Sequence, residues 1–241
     1  MQARVKPPAV DTGKWSWPMY IEVASLASIA VVSFAAFIFM PAGDPVSVIL
    51  KAMLVMVSAA AALAAYIATK RYRRALEAVA EKMGNRLEAW ARLTYTRGFF
   101  KLSDPPLLAY ITLTRGSGGR GRGPEPYFTA DLVFYAPCSR APPVAVRSMW
   151  RNGVDILTER TESSKELSDR LIELVGAMTK SMKCNVEVRT CVNKVFDPIS
   201  HKHVRIEAKI ALSRVPLSRL DEAIDTVVRV AELMGVCKLT N

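Results

Sequence analysis

Histidine is nearly absent from this chain, with two in 241 residues, and none of its four cysteines stands in a Cys-x-x-Cys pair. Cys138, Cys184, Cys191 and Cys237 therefore fit no metal-ligand spacing. If Cys138 were a nucleophile, only His201 and His203 could serve it as a base, and neither is near it in sequence. No Gly-Lys-Ser/Thr opens a helix, which excludes a P-loop. Charge is missing altogether from 23–43 and again from 52–69. Those two gaps organise everything else.

A helix rises about 1.5 Å per residue and a hydrocarbon core is about 30 Å thick, so roughly 20 apolar residues cross it. The first gap is long enough alone. The second reaches full length from Val46, with Lys51 snorkelling to the headgroups. Trp15, Trp17 and Tyr20 flank the first span, and Tyr66 and Tyr72 the end of the second, as interfacial aromatics do. Pro18 suits a first turn, Pro41 stops the first helix, and Asp44-Pro45 caps and starts the second. Arg4, Lys6 and Lys14 precede the pair, and Lys70, Arg71, Arg73 and Arg74 follow it, whereas the turn between has no Lys or Arg. The positive-inside rule then predicts a two-span protein of the cell membrane with both termini cytoplasmic. Ala24 with Ser28, Ser58 with Ala62 and Ala61 with Ala65 allow close helix packing. The two ionisable residues, Glu22 and Lys51, fall at opposite bilayer faces, so the hairpin reads as an anchor.

Beyond Thr69 lie 29 of the 33 basic and 19 of the 22 acidic residues, a formal charge of +10 on a length that suits one domain. Four of those positive charges, Lys70, Arg71, Arg73 and Arg74, are placed to meet anionic lipid headgroups. The expected organisation is a cytosolic tail at 1–18, a transmembrane hairpin at 19–69, a juxtamembrane amphipathic helix at 70–94 and a cytosolic α+β domain at 95–241. Tyr72, Leu76, Val79, Met83, Leu87 and Trp90 form that helix's stripe, which either packs on its own domain or serves as a seam for a homo-oligomer. Gly84-Asn85 marks a break in it.

Alternation predicts strands at 107–114 and 127–136, with shorter ones at 144–146 and 154–157. A helix follows over 164–182, with Ser163 and Glu166 as a capping box. The clearest hairpin comes next, with Val186, Val188, Thr190 and Val192 alternating against Val204, Ile206, Ala208, Ile210 and Leu212. Cys184 and Cys191, seven residues apart along it, would stand more than about 20 Å apart, too far to bridge. A last helix starts near Pro216 and ends at Gly235. This order predicts a mostly antiparallel sheet with two packed helices, and two successive strand-pair-plus-helix units suggest a duplicated ββα unit.

Two features invite chemistry. The Gly-rich stretch 115–126 carries Arg115, Arg120 and Arg122 among freed backbone amides, a candidate anion site. Pro-Glu-Pro and a strand follow the glycines, not the helix that a dinucleotide fingerprint needs, but such Arg-Gly segments also bind RNA. His201 and His203 form a His-x-His pair and are weak metal candidates in the hairpin turn. No acid-base, nucleophile or metal set is complete and no cofactor is implied. The expected role is a binding or scaffold module holding a cytosolic protein partner at the inner membrane face. Nucleic acid or another anionic ligand is the alternative, and an enzyme with scattered active-site residues the third.

Overall fold

The structure, a computed structural model, describes residues 9–11, 21–40, 45–115, 128–137, 142–150, 153–156 and 162–235. Chain contacts divide it into two compact units, Trp15–Ala75 and a second made of Met1–Lys14 with Leu76–Asn241. Trp15, Trp17, Pro18, Tyr20, Pro41, Asp44, Cys138 and Cys237, named above, lie outside the described residues.

The first unit holds α1 (Ile21–Phe39) and most of α2 (Pro45–Met83). Small residues make the seam between them. Ser33 and Ala61 are buried, and Ser58 Oγ donates to the Ala30 carbonyl at 2.9 Å. Ala62, expected in that seam, is exposed. The Lys51 ammonium stands 5.8 Å from the centre of the Phe37 ring. Large apolar side chains face outward all round, among them Val32, Phe34, Val48, Met56 and Leu63. Among the described residues, one helix is long and apolar enough to cross a membrane, and it is α2; the apolar run of α1, Ala27–Phe39, is shorter.

The second unit is α+β, built on a nine-stranded and almost wholly antiparallel sheet. Its strands are β1 (Ala9–Asp11), β2 (Leu87–Arg92), β3 (Arg97–Ser103), β4 (Pro106–Arg115), β5 (Phe128–Ala136), β6 (Ala145–Met149), β7 (Gly153–Ile156), β8 (Asn185–Asp197) and β9 (Lys202–Pro216). They lie in the order β1-β2-β3-β4-β5-β9-β8-β6-β7, and only β1 pairs parallel to its neighbour, β2. Helices α3 (Glu162–Met182) and α4 (Leu220–Leu233) pack on each other and on the second half of the sheet.

One row shows how sequence makes the core. Trp90, Phe100, Ala109, Phe134, Ile210, Val188, Val146 and Ile156 are successive cross-strand partners from β2 to β7. Paired residues share a face, so this apolar row floors the helices. One residue along, Ala91, Phe99, Tyr110, Val133, Ala211, Glu187 and Arg147 form the matching row of the other face. Three of its seven residues, Tyr110, Glu187 and Arg147, are polar or charged, and only Ala91 and Phe99 among the seven are buried.

In the sheet order β9-β8-β6-β7, the first strands of the two hairpins, β6 and β8, lie side by side. Each hairpin is followed by its helix, α3 or α4.

The amphipathic helix expected over 70–94 requires correction. α2 ends at Met83, Gly84 adopts φ +54°, and Leu87–Arg92 is strand β2. Gly accepts that left-handed conformation without a Cβ penalty and stops the helix. Leu-Glu-Ala-Trp-Ala-Arg is rich in helix formers, but pairing with β3 and stacking of Trp90 on Phe100, centroids 5.7 Å apart, outweigh propensity. The stripe residues Tyr72, Leu76, Val79 and Met83 are buried. Leu76 lies over Gly98 of β3, where an added Cβ would meet the Phe100 ring at 2.6 Å and Leu76 at 3.2 Å. Helix α3 also starts earlier than expected, at Glu162, so Ser163 falls inside its first turn.

Candidate functional site

The longest hairpin, β8–β9, supplies the most exposed chemistry. β5 pairs with β9 only from Ala208 onward, so the distal part, 193–206, is a free two-stranded arm. A bulge on β8 between Thr190 and Asn193 marks where the arm departs from the sheet. A bulge adds a residue to one strand and increases its twist, which re-aims the ribbon beyond it. The arm's end lies against the sheet's open face, where the Tyr110 hydroxyl of β4 donates to the Phe196 carbonyl.

Tyr110 meets Phe99 and Tyr135 edge-on, at 5.0 and 5.9 Å between centroids. Burial, then the neighbouring Tyr135 and Asp197, push its hydroxyl up to about 12. It is a fixed hydrogen-bond donor, not a base. Asp197, itself buried, folds the tip. Its carboxylate accepts from the Ile199 amide at 2.8 Å and the Ser200 hydroxyl at 2.7 Å.

The outer side of the arm is different. Lys194 pairs directly with Arg205, and Phe196 with His203. Below the bulge, Arg189 pairs with Lys209. Phe196 is 43% exposed, with the His203 and His201 rings 5.3 and 6.4 Å from its own. Arg189 reaches Glu187 at 2.5 Å, and Arg147 of β6 reaches the same carboxylate at 2.7 Å. Burial pushes Glu187 up, but the Arg147 hydrogen bond and the charges of both arginines outweigh it and hold the carboxyl below its usual range. Arg205 has only a loose partner, Glu207 at 3.6 Å.

The expected sites fare unequally. Arg115 closes β4, while Arg120 and Arg122 lie outside the described residues. His201 and His203 are exposed at the arm's tip, and no three His, Cys, Asp or Glu among the described residues gather to hold a metal. Lys70, Arg71, Arg73 and Arg74 are exposed on α2, with the Lys70 ammonium 5.9 Å from the Tyr66 ring. Cys184 is buried before β8, and burial raises its thiol to about 11, which makes it inert at neutral pH. Between α3 and α4 an open groove of about 610 Å³ has a Leu174 and Leu233 floor. Arg170, Glu173, Arg229 and Glu232 wall it with balanced charge.

The opposed cations of the arm were invisible to sequence reading. Lys194 and Arg205 are eleven positions apart, and only the register across the bulge brings them together. No family model, no curated protein and no solved structure matches the chain.

Proposed function

We propose that this protein is a membrane-anchored binding module. The α1–α2 hairpin crosses the bilayer twice, and the sheet domain stands at its cytosolic face. One observation carries the reading. β1 comes before the hairpin in the chain and β2 after it, yet they pair in one sheet. A chain that returns to the side it left has crossed an even number of times. If α2 crosses, a second crossing is required, and α1 is the segment available, tied to α2 by the Ser58–Ala30 hydrogen bond.

The outward apolar surface fits lipid as solvent, because in hydrocarbon a helix satisfies its own backbone and need not bury its side chains. Tyr66 and the exposed Lys70, Arg71, Arg73 and Arg74 suit the cytosolic interface, each cation contributing about 1 kcal/mol near anionic headgroups. The domain then offers its arm and open face to a cytosolic partner.

Topology reporters test the anchor. Fusions at Gly43 should report the outside, and fusions at the first residue and at Asn241 the cytosol. Finding the two termini on opposite sides of the membrane would overturn the reading.

A further inference from the structure

We propose that the β8–β9 arm binds single-stranded nucleic acid, its cations meeting phosphates and the Phe196 ring stacking on a base. The inference rests on the reading of the sheet domain as a cytosolic binding module, and it names that module's partner.

The first support is an electrostatic cost left in place. Like charges directly opposite on a ladder are unfavourable, and this hairpin carries two such pairs, Lys194 with Arg205 and Arg189 with Lys209. Arg205 and Lys209 are four residues apart on β9 with no register shift on that strand between them, so they share one face, separated by about 13 Å. Glu187 offsets Arg189 at 2.5 Å and Glu207 offsets Arg205 loosely at 3.6 Å, which leaves Lys194 and Lys209 without an ion pair among the described residues, while Asp197 is turned inward to fold the tip. A polyanion running along this face relieves both repulsions.

The second support is the aromatic. Phe196 belongs to the same face by its pairing with His203, and nearly half of it stands open between two imidazoles. Cations tracking a backbone beside an exposed ring are the elements of sequence-tolerant single-strand binding. A lipid-inserting tip would instead present aliphatic side chains. Here Pro198 is buried, and the Ile199 amide is held by Asp197.

The test uses the full chain in nanodiscs of zwitterionic lipid and a fluorescein-labelled RNA of about 12 nucleotides, within single-strand site sizes. Four neutralised phosphates give a slope of log K against log salt of about −2.8, or a loss of roughly fiftyfold between about 50 and 200 mM. Phe196→Ala should weaken binding roughly tenfold with that slope unchanged. Lys194→Glu with Arg205→Glu should weaken it further and halve the slope. Both sets of side chains are exposed, so the variants fold. Absence of RNA binding at the lower salt, or binding indifferent to both variants, overturns the proposal. So does an arm-dependent preference for anionic vesicles or polyglutamate over RNA. The topology reporters use no RNA, so a failed anchor and a failed arm are told apart.

Discussion

Along α2, Val48, Met56 and Leu63 turn outward before Thr69, whereas Leu76, Val79 and Met83 turn inward after Arg74, within one unbroken helix. Residues of the same kind obey opposite rules a few turns apart. The first stretch has apolar side chains on every side and is scarcely buried. The second has a stripe that is fully used. Helix propensity and average hydrophobicity do not distinguish these cases; what surrounds each stretch does. The second packs on the floor of a sheet, and the first is long and apolar enough to cross a membrane.

The same substitution on either side of the basic residues should have opposite outcomes. Leu76→Asp places an unpaired carboxylate at a position with no exposure and should cost more than about 4 kcal/mol, unfolding the sheet domain. Loss of protease resistance in the domain reads it. Leu63→Asp, at a residue 59% exposed, should leave the domain resistant but weaken insertion by roughly 2.5–3.5 kcal/mol. Alkaline extraction reads that. Should Leu63→Asp stay as firmly in the membrane fraction as the parent, the outward residues are not lipid-facing and the contrast fails.

A smaller effect sharpens the inward half. Gly98→Ala would force a methyl against Phe100 and Leu76, an overpacking worth about 1–3 kcal/mol. The expected signature is a lower urea midpoint with the slope unchanged. The weakest effect lies on the opposite face of the sheet. Tyr110 has its proton held up to about 12 in the folded state, against about 10 when unfolded. Between those values the unfolded chain releases a proton that the folded chain keeps, so stability falls as pH rises through the window. At neutral pH Tyr110→Phe should cost only about 1 kcal/mol, the net worth of its hydrogen bond to Phe196. The variant should also lack the alkaline loss, which a denaturation series from pH 8 upward would measure.

The elements with clean periods were legible. Alternation located β4, β5, β8 and β9, and the stripes of α3 and α4 stood out, because one face of each is buried and the other wet. β3 was missed because Phe99 and Phe100 are adjacent and both fully buried, on opposite faces, which erases the alternation. β2 was taken for helix because its composition favours helix and its pairing partner is not encoded locally. The candidate site was legible only in pieces. His201 and His203 drew attention as possible ligands, while Phe196 between them did not. Arg115, Arg120 and Arg122 drew the anion-binding expectation to a different loop. Register is a property of two strands together, and no window of one sequence displays it.

The parallel pairing of β1 with β2 also fixes an order of events. Seventy-five residues separate Asp11 from Leu87, so the ribosome emits β1 well before any surface exists for it to join. At about 5–20 residues per second the delay is roughly 4–15 s, during which both apolar helices are made and must find their solvent. Among the described strands β1 comes first, and it can join the edge of the sheet only after both apolar helices and β2 have followed it.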